Sequence, residues 1–130
     1  MTECAAALHV GVHGDDFDAL VASYAVHRVS DEGQAAMLLA RGELMPCAVL
    51  IDQEALIDPS NALLPRLLRR NAPLPTELAS APSLQHVPLI LLSRDGRPSP
   101  AHWRAVDRVL TRPLVPAALT LALIDWRLRG

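Results

Sequence analysis

Lysine is missing from this 130-residue chain: its 12 basic residues are all arginine, set against 14 acids for a formal charge of −2. Without a basic excess there is no electrostatic footprint for a phosphate backbone or an anionic membrane, so direct nucleic-acid or membrane binding is not expected. No uncharged apolar run reaches the roughly 18 residues that a membrane span needs, and Met1-Thr2-Glu3-Cys4 lacks the basic and apolar regions of a secretion signal. A cytoplasmic location is the expectation. Cysteine is scarce: Cys4 and Cys47 stand far apart, with no CxxC and no flanking histidine pair, which leaves a zinc site unsupported. In a reducing compartment the two are expected as free thiols. Among the 6 glycines there is no glycine-rich phosphate loop and no G-x-S-x-G elbow, so little is present for an enzyme to work with. What the chain does have is 51% hydrophobic against 20% charged residues, a balance that excludes a disordered tail and predicts one packed domain over residues 1–130.

The apolar segments alternate with helical ones. Ala6 to Val12 reads as a strand, ended by the turn formers and charges of His13-Gly14-Asp15-Asp16. Phe17 to Ser23 has helical spacing, with Asp15, Asp16 and Asp18 near the positive end of the helix dipole. Tyr24 to Val29 is a second strand, and Ser30-Asp31-Glu32 supplies an N-cap for a helix over Gly33–Arg41 that stops at Gly42. Pro46 to Ile51 is continuously apolar and ends in Asp52, as a strand covered on both faces should. A helix follows over Ala62–Arg70 with Pro65 in its first turn, then a long connection from Asn71 to His86. Val87 to Leu92 is another fully apolar strand, closed by Ser93. Ser99-Pro100 reads as an N-cap with proline at the first helical position, and Arg108–Thr111 and Val115–Leu128 are the last strand and helix.

Strand and helix alternate five times, which predicts an α/β fold with helices on both faces of a parallel sheet. The right-handed crossover rule favours the flavodoxin-like (βα)5 three-layer sandwich with strand order 2-1-3-4-5. Ligands of such sheets sit outside the carboxyl ends of the strands, where this sequence has His13 to Asp16, Asp52, Ser93 and Thr111-Arg112.

At these strand ends the chain resembles the receiver domain of two-component response regulators. Pro46-Cys47-Ala48-Val49-Leu50-Ile51-Asp52 is similar to the receiver's third strand with its phosphoacceptor aspartate. Val87-Pro88-Leu89-Ile90-Leu91-Leu92-Ser93 is similar to the fourth, with its small hydroxyl residue. Ala105-Val106-Asp107-Arg108-Val109-Leu110-Thr111-Arg112-Pro113 is similar to the fifth, with its basic residue and proline. The resemblance implies Asp52 as acceptor, Ser93 as hydroxyl and Arg112 as the cation on the phosphoryl oxygens. It also implies a Mg2+ ion held by Asp15, Asp16, Asp52 and the backbone carbonyl of Glu54. A sensor histidine kinase or other signalling protein is the implied partner, with an output domain outside this sequence.

Several residues depart from that pattern. The acidic pair follows His13-Gly14 instead of closing the first strand, the cation is arginine where the family has lysine, Val109 replaces the aromatic switch residue, and Leu56 replaces a proline. These changes imply degenerate phosphorylation chemistry and a pseudo-receiver that works through protein contacts rather than as an enzyme. Two other readings stay open: Asp58-Pro59-Ser60-Asn61 is similar to the phosphorylatable segment of STAS (anti-sigma antagonist) domains, switched at Ser60, and a small flavodoxin-like enzyme is the other. His9 and His13 are read as a hydrogen-bonded or surface pair rather than, with Asp15, a transition-metal site. Arg66, Arg69 and Arg70 are read as a solvated helix face, and Trp103 and Trp126 as packing anchors. The last helix carries two apolar stripes, Leu119, Leu123 and Trp126 on one side and Leu121, Ile124 and Leu128 on another. Only one can face the sheet, so the second is expected to form a homodimer interface built on the two C-terminal helices.

Overall fold

The computed structural model describes residues 6–11, 25–69, 74–78, 84, 86–112 and 114–129. Five strands, β1 (Ala6–Val10), β2 (Ala25–Val29), β3 (Ala48–Asp52), β4 (Leu89–Ser93) and β5 (Arg108–Thr111), form one sheet in the order β2-β1-β3-β4-β5. Every neighbouring pair is parallel, with Val10 level with Ile51, Asp52 with Leu92, and Ser93 with Thr111. The α/β class and the strand order read from the sequence are those observed. The helix expected over Phe17–Ser23 and the loop His13–Asp16 lie outside the described residues.

Because side chains alternate across a strand, each central strand feeds two cores. Leu8, Val10, Val49, Ile51, Leu89 and Leu91 point to one face, where α1 (Glu32–Ala40) adds Ala35, Ala36 and Leu39 and α2 (Leu63–Arg69) adds Leu64, Leu67 and Leu68. Ala7, Ala48, Leu50, Ile90 and Leu92 point to the other, covered by Leu119 and Leu123 of α4 (Pro116–Arg129). β3 and β4 are buried at every position, which is why both read as unbroken apolar runs. The connection beyond α2 differs from the loop expected there. It contains a 3-10 turn, Thr76–Leu78, and buries Leu78 and Leu84 in the α1–α2 core.

Local chemistry sets the helix starts. The Asp31 carboxylate accepts the Gln34 amide at 2.8 Å to cap α1, and Gly42, at φ +71°, follows its C-cap in the left-handed region. Ser99 caps α3 (Pro100–Ala105) through the His102 amide, with Pro100 in the first turn. α2 has no such residue in front of it; instead Glu32 of α1 reaches across and accepts the Leu64 amide at 2.8 Å. The start of α2 is thereby tied to the α1–α2 packing.

Three sequence expectations are corrected. Arg69 is not solvated: it pairs with Asp107, lies 5.4 Å from the centroid of the Trp126 ring, and burial lowers its pKa from the ordinary arginine value. Trp126 is an anchor, donating its indole N–H to the His86 carbonyl at 2.9 Å, but Trp103 is half exposed on α3, a helix too short to cover it. Cys47 is disulfide-bonded rather than a free thiol. The Cys47 amide donates to the Ala6 carbonyl at 2.9 Å, and Cys4, the one other cysteine of the sequence, lies outside the described residues.

Candidate functional site at the strand ends

Parallel pairing brings the carboxyl ends of the strands to one edge, and with them Gly11, Asp52, Ser93 and Arg112. Asp52 continues the Ala48–Leu50 face of β3, so its side chain turns inward rather than out to solvent. It is 1% exposed. His9 continues the Ala7 face of β1 and reaches the same place, its Nε2 lying 3.1 Å from Asp52 Oδ1. A carboxylate only accepts, so Nε2 carries the proton, and Nδ1 is buried with no hydrogen-bond partner.

The other carboxylate oxygen packs against Gly11. A Cβ added to Gly11 would stand 2.0 Å from Asp52 Oδ2, and the residue has φ +148°, so glycine is required twice over. The Gly11 amide donates to the Val29 carbonyl at 2.9 Å, and its own carbonyl accepts Arg28 Nε at 3.2 Å.

Ser93 is fully buried, and its hydroxyl is committed to its own turn. It donates to Asp95 Oδ1 at 3.1 Å and accepts the Gly96 amide at 3.1 Å, while the Arg97 amide also reaches Asp95 Oδ1 at 2.9 Å. These donors, the Arg97 amide first and then the Ser93 hydroxyl, hold the Asp95 carboxyl below its ordinary value. The contribution of that turn is therefore fully present above pH of about 4 and is lost as pH falls through the lowered folded-state value. A carbon-detected NMR titration should find Asp95 ionised below that pH, and Asp95→Asn should remove the corresponding acid limb from the unfolding curve.

Arg112 is held by its amide, which donates to the Ser93 carbonyl at 2.8 Å, and its side chain is only 7% exposed. Its Nη1 lies 3.1 Å from Glu54 Oε2 and 3.4 Å from Oε1, and Arg94 Nε approaches the same carboxylate at 3.3 Å. Glu54 stands on the 3-10 turn Gln53–Ala55 that follows β3. The resemblance implies a metal-ligand role for its backbone carbonyl, and its side chain is what meets the two arginines. On the far side of the same turn, His102 donates Nε2–H to the Leu56 carbonyl at 2.8 Å, which leaves Nδ1 to accept the Ser99 hydroxyl at 2.7 Å.

The structure thus brings Asp52, Ser93, Arg112 and Glu54 to one edge, while Asp15 and Asp16 lie outside the described residues. Among the described residues no group of three potential ligands is placed to hold a metal ion. Asp52 and the Glu54 carbonyl do not alone make the oxygen set that Mg2+ requires, and His9 occupies one Asp52 oxygen. His9 is hydrogen-bonded to Asp52, and the His13 with which it was expected to pair lies outside the described residues.

No protein-family model matches the chain, and no curated protein does. Solved structures do. The receiver domain of a sensor histidine kinase from Pseudomonas aeruginosa, with a magnesium ion coordinated in its active-site cleft, is 20% identical over 95% of this chain and 98% of its own, at TM-score 0.67. A signal receiver domain of an HD-domain-containing protein from Pseudomonas fluorescens is 18% identical over 98% and 97%, at TM-score 0.64. The pseudo-receiver domain of the CikA protein is 19% identical over 95% and 97%, at TM-score 0.58. With the strand order, the register and the edge residues in place, the chain has the fold of a response-regulator receiver domain.

Proposed function

We propose that this chain is a signal-transduction receiver-like domain in which Asp52 holds the phosphoacceptor position, phosphorylation is degenerate, and output runs through protein contacts rather than catalysis. One observation carries the reading: the Asp52 carboxylate is buried, with Oδ1 on His9 Nε2 and Oδ2 against Gly11. An attacking carboxylate needs an oxygen open to an incoming phosphoryl group and a cation beside it. Here Oδ1 is held by His9, Oδ2 is packed against Gly11 inside the domain, and Arg112 lies on Glu54. Solved neighbours include a magnesium-loaded receiver and a pseudo-receiver, and the Asp52 environment favours the second kind. Any Mg2+ bound at this edge would draw on Asp15 and Asp16 beside Asp52 and the Glu54 carbonyl.

Incubation with acetyl phosphate and Mg2+, read by intact mass and peptide mapping, is expected to leave the wild-type chain unlabelled. Stoichiometric label on Asp52 would overturn the degenerate chemistry and keep the receiver reading. Label on Ser60, which is exposed, would instead favour the STAS-type switch.

Partners in this reading are a sensor histidine kinase or another signalling protein, an output domain, and a second copy of the chain, all in the cytoplasm. A reducing compartment there would hold the Cys47 bridge open. Among the described residues no helix is long and apolar enough to cross a membrane. On α4, Leu121, Ile124 and Leu128 are 67%, 47% and 82% exposed, whereas Leu119 and Leu123 are buried, so the second apolar stripe of that helix is uncovered in the single chain. Light scattering at high micromolar concentration should return a dimer mass. Leu121→Glu should weaken the association by about tenfold or more, since a charge would enter the centre of an apolar contact.

A further inference from the structure

Between α2 and α3 lies a cleft of about 280 Å3. Its α3 wall is built by Ala101, Arg104 and Ala105, which share one helix face at the spacing i, i+3 and i+4. Alanine at two of these positions keeps the cleft open, because a longer side chain on that face would fill it. Pro65 and Arg66 of α2 line the other side, with Pro59 and Ser60 from the turn before that helix. The frame is fixed without a ligand. The Asn61 amide closes the turn on the Asp58 carbonyl at 3.1 Å, and His102 holds α3 to the Leu56 carbonyl at 2.8 Å. With two proline rings in the lining, little order remains to be gained on binding.

Two guanidinium groups and a hydroxyl belong to the lining, and no acid among the described residues does. The acids closest in sequence are committed elsewhere: the Asp58 carboxylate accepts the Asn61 side-chain amide at 2.8 Å, and Asp107 pairs with Arg69. Arg66 is half-buried and has interactions of its own within the domain, so it is a placed charge that keeps its position. Arg104 is exposed, and among the described residues no ion pair holds it. The whole chain carries a formal charge of −2, so this positive spot runs against the net charge.

We propose that the α2–α3 cleft docks an acidic peptide segment of a partner protein, taking an aspartate or glutamate side chain beside Arg104 and Arg66, with Ser60 as a further donor. Charge complementarity selects the occupant, since cations without a local acid suit a carboxylate, and the guanidinium fork matches its two oxygens. Size narrows it further. The cleft falls below the roughly 300 Å3 at which metabolite and cofactor pockets begin, and it suits one or two residues of a chain. Arg104 gives up no ion pair to bind. The cleft shares no residue with the exposed Leu121, Ile124 and Leu128 stripe of α4. The inference goes beyond the receiver-like reading and does not depend on whether Asp52 accepts a phosphoryl group.

Titration of the full chain with a hexaglutamate peptide, followed by amide NMR at low salt, tests this, with a hexaglutamine peptide as the neutral counterpart. The acidic peptide should give saturable shifts centred on Ser60, Arg66, Ala101, Arg104 and Ala105, and the neutral one should give none. Arg104→Gln should weaken the apparent affinity by about tenfold or more. Arg41→Gln removes the same charge from an exposed position outside the cleft and should leave the affinity within about twofold. Ala105→Leu changes no charge and should abolish binding by filling the cleft. Ala101→Leu asks the same question from the preceding turn and decides it if Ala105→Leu does not fold. The proposal is overturned by shifts that do not saturate or that scatter over the surface, by equal losses in Arg104→Gln and Arg41→Gln, or by binding that survives the leucine variants. Inorganic phosphate is the remaining arm: cleft shifts with phosphate but none with hexaglutamate would assign a small-anion site and overturn the peptide. Labelling of Asp52 by acetyl phosphate bears on the degenerate chemistry alone, so the two readings fail separately.

Discussion

Replacing His9 by leucine is expected to lower the unfolding free energy by about 3 to 5 kcal/mol, the cost typical of removing one partner from a buried charged or hydrogen-bonded pair. His9 and Asp52 are 0% and 1% exposed, so water cannot take the place of the lost imidazole N–H. The leucine itself is tolerable in volume beside Leu50 and Ala7, which makes the loss electrostatic rather than steric. The cycle is completed by Asp52→Leu and by the double variant. If the pair is the source of the effect, the double variant should recover a large part of the loss, because two apolar side chains need no partner. Urea denaturation of the four proteins checks this directly. Additive losses would mean that the two residues act separately.

Gly11→Ala should be nearly as damaging, by about 2 to 5 kcal/mol, through two separable effects. Positive φ at an alanine carries about 1 to 3 kcal/mol of backbone strain. The new methyl group would also overlap the Asp52 carboxylate, which is not the loose end of a flexible chain but a buried group fixed by His9. Overpacking of that kind costs about 1 to 3 kcal/mol and here would force the carboxylate off Nε2. Adding Asp52→Ala to Gly11→Ala should therefore restore the steric part and leave the backbone part. An NMR spectrum of the His9 ring nitrogens should report the broken hydrogen bond in the single variant. If Gly11→Ala alone keeps both the ring signals and the stability of wild type, the close packing of this corner is wrong.

Much of the architecture could be read because its causes are local. Val49 to Ile51 and Leu89 to Leu92 are apolar without alternation since both faces are covered, and Asp52 and Ser93 end them where burial ends. Ser99-Pro100 and Asp31 announced helix starts by their own hydrogen-bonding chemistry. The two stripes of the last helix follow from 3.6-residue periodicity, and their unequal exposure is the one expected. The pairings between distant segments were not readable in this way. His9 with Asp52, Arg112 with Glu54, and Arg69 with Asp107 and Trp126 each join residues that no short pattern connects. For His9 a signal existed. Once β1 and β3 are taken as parallel neighbours, a histidine two positions before the closing glycine falls on the same face as the closing aspartate. Glu54 offered none, because a glutamate on a turn is ordinarily solvated.

The two outermost strands bear on how copies of this molecule can meet. β2 presents Ala25, His27 and Arg28 to solvent, and β5, four residues long, begins at Arg108, whose guanidinium is held by Asp125 and the Asp107 carbonyl. A further strand added along either side would have to strip water from one arginine or tear the other from its acceptors, for a ladder of only four or five residues. Edge-to-edge growth into a continuous sheet, the route by which parallel sheets become fibrils, is thus closed by charge and shortness at both ends. Contact through the helical faces carries no such penalty.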